Sequence, residues 1–248
     1  MCATCGCAGA GAVVHSHGGH GGHAHVLPPG DGRTIVLQQK ILARNDGIAE
    51  RNRAFLAERG VIMVNLMSSP GSGKTTLLER TAADLSGRLR LGVIEGDQET
   101  ELDAGRIRAA GCAVVQVNTG AGCHLDAEMV AAALAELDPA AGSVVVVENV
   151  GNLVCPALFD LGEAQRIVLA SLPEGEDKPA KYPHMFRQAD LVLVSKVDLL
   201  PYLRFDLARY EADLARIAPS ARVMRVSAES GEGLADWYDW LTETDRPG

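Results

Sequence analysis

The first 32 residues hold no aromatic side chain, and Asp31 is the only formally charged one among them. So little apolar bulk, spread among nine glycines, cannot bury enough surface to fold alone, so this stretch reads as a flexible arm. No run of 18 apolar residues occurs anywhere in the 248, which argues against a membrane-spanning helix. The start, Met1-Cys2-Ala3-Thr4-Cys5, also lacks the basic segment and long apolar stretch of a secretory signal. Basic residues are in deficit. Twenty-three Lys and Arg face 32 Asp and Glu, giving a net charge of −9, which disfavours nucleic acid or an anionic membrane as partner. The chain therefore reads as cytoplasmic, and in a reducing compartment its six cysteines point to metal ligands or inert thiols rather than disulfides. Its length permits one large domain or two small ones. The division expected is an arm over 1–32 and a nucleotide domain over 33–248 that begins with a helical segment.

What is present is organised around Ser68-Ser69-Pro70-Gly71-Ser72-Gly73-Lys74-Thr75-Thr76, directly after the apolar run 61–67. A strand that runs into a glycine-rich turn and then Lys-Thr-Thr predicts a phosphate loop opening a helix. Gly71 and Gly73 let the backbone curl so that N–H groups, Ser72's among them, point at a polyphosphate. Lys74 would reach the β and γ phosphates, Thr75 would ligate Mg²⁺, and Thr76 can add an α-phosphate contact. Ser68 stands where the usual pattern has its first glycine, and an ordinary strand-to-helix turn is the bland alternative.

Apolar strands then alternate with helical stretches, the pattern of an α/β protein with a mostly parallel sheet covered by helices, a P-loop NTPase fold. Strands are expected at 89–95, 113–117, 143–147, 167–171, 191–195 and 222–226. Ahead of the phosphate loop, Leu37, Ile41, Ile48 and Phe55 recur at helical intervals and predict one helix bent near Asn45-Asp46-Gly47, or two, with an apolar face on the domain. Acids at strand ends are where Mg²⁺ and an attacking water are managed. Asp97 and Glu148 are the candidates, each with loop capping as the alternative, and Gly151, three residues after Glu148, would present its N–H to a γ-phosphate. Ser195-Lys196-Val197-Asp198 follows an apolar strand. Asp198 can accept from the ring N–H and exocyclic amino group of guanine, a donor pair that adenine lacks, while the stem of Lys196 lies along the base. Ser195 replaces the commoner Asn, and Ser227-Ala228 resembles a second guanine-contacting loop. An adenine nucleotide is the competing possibility.

Soft donors occur in three places. Cys2, Cys5 and Cys7 bring three thiols into six residues, suited to Ni²⁺ in a tetragonal arrangement or Zn²⁺ in a tetrahedral one, or else they are incidental thiols. His15, His17, His20, His23 and His25 lie on a glycine string and suit buffering of divalent ions, with a purification tag as the alternative. Cys123 and His124 are neighbours that can share an ion only from a loop or helix start, since strand neighbours point opposite ways. Cys155, shortly after Glu148 and Gly151, could join them. Three such ligands would leave a site open, and two chains face to face would offer six. A buried thiol with a satisfied histidine is the alternative, and Cys112 reads as core.

With these residues together, the chain resembles the HypB family of nickel-incorporation GTPases of hydrogenase maturation, a class of dimerising GTPases that includes the urease accessory GTPase. The resemblance spans essentially the whole chain. It rests on Cys2-Ala3-Thr4-Cys5-Gly6-Cys7, the His-rich arm, Ser69 through Thr76, Glu95-Gly96-Asp97, Cys123-His124-Leu125-Asp126, Glu148-Asn149-Val150-Gly151-Asn152-Leu153-Val154-Cys155-Pro156, Gly175-Glu176-Asp177-Lys178-Pro179 and Lys196-Val197-Asp198-Leu199-Leu200-Pro201-Tyr202. It implies a low-turnover, Mg²⁺-dependent GTPase that forms a homodimer on binding GTP. It further implies a high-affinity nickel site at the amino-terminal cysteines and a second zinc or nickel site at Cys123, His124 and Cys155 near the dimer interface. Nickel would pass to a hydrogenase large-subunit precursor with help from the small zinc protein HypA. Lys178 belongs, by the same resemblance, to a segment that follows the nucleotide state.

Overall fold

The computed structural model describes residues 32–97, 102–120 and 122–243, with side chains from residue 39 onward. The arm's expected ligands, Cys2, Cys5, Cys7, His15, His17, His20, His23 and His25, lie outside the described residues.

Seven strands form one sheet: β1 (Ile62–Ser68), β2 (Leu91–Asp97), β3 (Ala113–Asn118), β4 (Val144–Glu148), β5 (Gln165–Ser171), β6 (Leu191–Ser195) and β7 (Arg222–Val226). Their order is β3-β2-β4-β1-β5-β6-β7, and every pairing is parallel. A parallel sheet covered on both faces has no watery side, so its central strands read as unbroken apolar runs. The Val144-Val145-Val146-Val147 of β4 and the Leu191-Val192-Leu193-Val194 of β6 are buried throughout.

Eight helices are described: α1 (Gly32–Glu58), α2 (Lys74–Asp84), α3 (Leu102–Ala109), α4 (Ala127–Leu137), the short α5 (Lys178–Lys181) and α6 (Pro183–Arg187), α7 (Leu207–Ile217) and α8 (Leu234–Glu243). Strand alternation sorts the core onto two faces. Ile62, Val64 and Leu66 of β1 pack with Leu77 and Leu78 of α2 and Trp237 of α8. Met63 faces the other way, with Leu56 of α1 and Val130 and Leu134 of α4. On that second face Met67 joins Met185 and Phe186 of α6 and Leu214 of α7.

The opening segment, expected as one bent helix or two, is one helix that runs through Asn45-Asp46-Gly47. Asn45 is no break, because its side chain is a buried anchor: Nδ2 donates to the Asp160 carbonyl at 2.7 Å and Oδ1 accepts from the Ala127 N–H at 2.9 Å. Asn52, two turns on, donates to the carbonyls of Ala127 and Leu161. Two strand expectations need correction: β5 starts two residues earlier than expected, at Gln165, and β2 starts and ends two residues later than expected. Leu89 is committed to the turn after α2, where its N–H bonds the Leu85 carbonyl, so Asp97 closes the strand rather than following it. Among the described residues no helix is long and apolar enough to cross a membrane.

Strands β4, β2 and β3 lie on one side of β1 and β5, β6 and β7 on the other, so successive crossovers diverge at β1. In open α/β sheets that divergence opens a crevice at the strands' carboxyl ends. The functional residues gather there.

Candidate nucleotide cleft and metal centre

A cleft of about 760 Å³ occupies that crevice. Gly71, Ser72, Gly73, Lys74, Thr75, Thr76, Asp97, Glu148, Gly151, Lys196, Asp198, Ser227 and Ala228, drawn from five separate segments of sequence, all line it. Between β1 and α2 the chain turns through Gly71 at φ 74° and Gly73 at φ 96°, left-handed values that favour glycine. Gly73 caps α2 without any side-chain hydrogen bond, so the helix's first N–H groups and its positive end remain for a ligand in the cleft.

Lys74 is buried, and its Nζ donates to Ser68 Oγ at 2.9 Å, so the serine in the first-glycine position supplies the lysine's resting acceptor. Burial lowers the Lys74 pKa from its ordinary value, against the pull of Glu148 and other acids. Thr75 Oγ1 donates to Glu148 Oε1 at 2.8 Å. Glu148 is 4% exposed, its proton affinity is raised by burial, and its Oε2 is buried with no hydrogen-bond partner. A threonine hydroxyl beside a buried, half-satisfied carboxylate is a donor set that fits a hard divalent cation such as Mg²⁺. Gly151 lies against the phosphate loop: a Cβ there would stand 2.9 Å from both the backbone nitrogen and Cα of Pro70, so only glycine permits this approach.

On the other side of the cleft, β6 meets the same loop. Ser195 Oγ donates to the Ser72 carbonyl at 3.1 Å and Lys196 Nζ to the Gly71 carbonyl at 2.7 Å. The Lys196 stem therefore crosses the cleft wall beside Asp198, with Ser227 and Ala228 beyond it. A hydroxyl at 195 suffices to tie strand end to phosphate loop.

Sequence reasoning missed several residues of this region. Glu174 Oε1 accepts from Ser72 Oγ and from Ser171 Oγ, each at 2.6 Å, and so joins the turn after β5 to the phosphate loop. Burial works against its ionisation, but the hydroxyls of Ser171 and the loop serines outweigh that and lower its pKa. Its signal was the Ser-x-x-Glu spacing of a capping box. Arg106 of α3 donates to Thr76 Oγ1 at 3.2 Å and to Glu79 at 2.6 Å. Glu95 lines the cleft two residues before Asp97. Burial, and then the charges of Glu148 and Asp97, push its carboxyl up to about 8.

The soft donors form a separate centre. Cys123 and His124 lie in the loop before α4, which starts where Asp126 caps the Met129 N–H at 2.8 Å. Cys155 opens a 3₁₀ turn, Cys155–Leu158, after β4. Cys123 Sγ lies 2.8 Å from Cys155 Sγ and 3.6 Å from His124 Nδ1. One ligand atom from each residue falls within 4.8 Å of the others. His124 stacks on Phe159 at 4.0 Å, and burial lowers its pKa despite Asp126, favouring the neutral imidazole that binds metal. Two thiols and one imidazole fit a borderline ion such as Zn²⁺ or Ni²⁺. Cys112 is buried away from this centre, its thiol pushed up to about 11 by burial.

One side chain touches both sites. Buried Asn149, next to Glu148, accepts through Oδ1 from the Leu125 N–H at 3.2 Å and the Val150 N–H at 3.0 Å, and donates through Nδ2 to Asn65 Oδ1 of β1 at 3.2 Å.

Comparison with known proteins identifies the family. The family described as "CobW/HypB/UreG, nucleotide-binding domain" matches residues 62–225. Hydrogenase maturation factor HypB of Azotobacter vinelandii is 53% identical over 226 residues, which span 91% of this chain and 75% of that one. The chain belongs to the HypB family. Two solved relatives share its fold. HypB from Archaeoglobus fulgidus matches with a TM-score of 0.77 and 38% identity, over 82% of this chain and 99% of that one. HypB from Helicobacter pylori, solved in complex with nickel, matches with a TM-score of 0.76 and 39% identity, over 81% and 94%.

Proposed function

We propose that this chain is a GTP-hydrolysing nickel metallochaperone, in which the nucleotide bound at the sheet's crevice sets how tightly nickel is held at Cys123, His124 and Cys155. The observation that carries the reading is Asn149, whose one carbonyl oxygen serves the Gly151 loop and the Cys123 loop together. A ligand that draws the Gly151 N–H toward a γ-phosphate moves the peptide beside Val150. The shared acceptor passes that shift to Leu125, one residue from His124. Such coupling requires unequal affinity of each ligand for the two states.

In this scheme the phosphate-loop N–H groups and Lys74 hold the β and γ phosphates, and Thr76 contacts the α-phosphate. Asp198, Lys196 and the Ser227-Ala228 loop hold guanine. Thr75, Glu148 and Asp97 would hold Mg²⁺, which when bound neutralises charge on the transferring phosphoryl group. Asp97, at the mouth of the site, orients the attacking water.

Self-association through the cleft face is part of the proposal. The large apolar side chains most exposed among the described residues are Leu102, Val154, Leu158 and Tyr202, the last 84% exposed. All four lie in segments that follow the carboxyl ends of β2, β4 and β6, on the edge of the sheet where the cleft opens. Joining two copies there would bring two soft-donor centres toward each other. The cargo would then pass to a hydrogenase large-subunit precursor, with a HypA-type nickel and zinc protein as intermediary and the arm of residues 1–32 as a reservoir.

The test is nickel affinity and molecular mass with GDP against a non-hydrolysable GTP analogue, for the chain with native Asn149 and for Asn149→Ala, both with Cys2, Cys5 and Cys7 changed to Ser so that nickel on the arm does not hide the centre. The chain with native Asn149 should change both with nucleotide. Asn149→Ala should bind each ligand yet lose the difference in nickel affinity. Equal nickel affinities with native Asn149 in the two states would end the coupling.

A further inference from the structure

Glu95 is a buried carboxylate of the cleft to which the scheme above gives no part. It is 2% exposed and stands in direct register with Glu148, β2 against β4. Register partners on parallel strands project to the same side, and so does Asp97, two residues along. Three carboxylates thus share one side of two adjacent strands at the carboxyl edge of the sheet, and Asp103 adds a fourth negative charge close enough to bear on Glu95. Both Glu95 Oε2 and Glu148 Oε2 are buried without a hydrogen-bond partner. Unmet buried polar atoms are costly, and two carboxylates side by side cannot both ionise unless something positive or hydrogen-donating comes between them.

Mg²⁺ has the properties the pair requires. It gives up its waters reluctantly and takes one or two carboxylates directly, leaving a hydrated outer surface that needs acceptors. Thr75 and Glu148 are already joined at the candidate ion position, and Glu95 stands beside them on the next strand.

We propose that Glu95 is a positioning residue that accepts hydrogen bonds from the water shell of the divalent cation seated by Thr75, Glu148 and Asp97, so that β2 supports the ion at a second, deeper position. The inference rests on the reading of the cleft as a Mg²⁺-nucleotide site. Glu95 would set how much Mg²⁺ the nucleotide complex needs and leave the grip on the nucleotide's phosphates and base unchanged.

The experiment titrates Mg²⁺ into the full chain carrying a fluorescent GDP analogue, with Mn²⁺ as a paramagnetic probe of the same position. Loss of a group that holds a metal's outer partners typically weakens affinity about 10- to 100-fold, and Glu95→Gln should raise the half-saturating Mg²⁺ by about tenfold or more. It should also broaden the bound Mn²⁺ signal while leaving affinity for the analogue in chelator unchanged. Glu95→Asp, which keeps the charge on a shorter stem, should fall between the two, and it carries the comparison alone if Glu95→Gln does not fold. A native Mg²⁺ titration and Mn²⁺ signal in either folded variant would overturn the assignment. If the native chain binds the analogue with no response to Mg²⁺, the cation reading of the whole cleft fails first.

Discussion

The nucleotide cleft and the soft-donor centre lie on one edge of one sheet, yet they are built in opposite ways. The cleft's central piece is contiguous in sequence, residues 68–76, and it is braced by three side chains, Ser195 and Lys196 at the end of β6 and Glu174 after β5. The metal centre joins two loops 32 residues apart, with an aromatic stack and exposed Val154 and Leu158 beside it. The cleft offers hydroxyl and carboxylate oxygens, the centre sulfur and a neutral imidazole. In the proposed reading hard and soft ions are sorted by donor chemistry, with little ground for either site to take the other's ion. What the contrast teaches is that the candidate phosphate grip is a locally encoded turn, whereas the candidate metal grip depends on how two loops meet and would answer to whatever moves one of them.

The sharpest way to break the comparison is to remove one sulfur. With Cys2, Cys5 and Cys7 changed to Ser so that the arm does not mask the result, Cys155→Ser should weaken nickel binding by more than about 100-fold, since loss of outer partners alone can cost that much. Guanine nucleotide affinity, measured by fluorescence titration, should stay near its native value. A parallel loss of nucleotide binding would mean that the sites are one unit. Asp198→Asn should have the converse effect. It should lower affinity for guanine nucleotides by about 100-fold or more and shift preference toward xanthine nucleotides, because a mismatched hydrogen-bond pair is strongly rejected. Competition binding reads this, with nickel affinity in the nucleotide-free protein unaltered.

A smaller effect is expected at Glu174. Glu174→Ala removes the acceptor shared by Ser72 and Ser171. Because Ser72 keeps the Ser69 carbonyl at 2.7 Å, the loss falls mainly on Ser171, about 1 kcal/mol, and should appear as a severalfold weaker nucleotide with a modest fall in melting temperature. Unchanged nucleotide affinity would show that the phosphate loop does not need this brace. The last test is with pH, read on stability rather than on binding. Glu95 holds its proton in the fold up to about 8, against an ordinary 4.5. The unfolded chain therefore binds fewer protons across that window, and stability of the Mg²⁺-free protein should fall as pH rises through it. Chemical denaturation between pH 5 and 8 checks the slope, and Glu95→Gln should flatten it.

Much of the architecture was legible because parallel strands announce themselves as solid apolar runs. The sixth and seventh strands appear with the expected bounds, Leu191–Ser195 and Arg222–Val226. The second did not, because the apolar Leu89 belongs to a turn held by Leu85 and hydropathy cannot tell the two apart. Whether the opening segment is one helix or two is not legible, because Asn45 favours turns in isolation, while here it bonds across 82 and 115 residues of sequence. The cleft's lining was legible where a motif carries it and illegible where tertiary placement does. Glu174 acts on Ser72 from 102 residues away. Glu95 is set apart from an ordinary strand acid only by its register with Glu148. That Cys123 and Cys155 converge was a matter of spacing in the sequence and is a matter of distance in the fold.

The contact of Gly151 with Pro70 has a mechanical consequence. With no room for so much as a methyl group between them, the turn that cups the phosphates and the segment leading to Cys155 mesh like two teeth of a gear. A side chain as small as alanine at 151 would force them apart, and under the proposed coupling such a variant should still grasp a nucleotide with nothing to turn when it does.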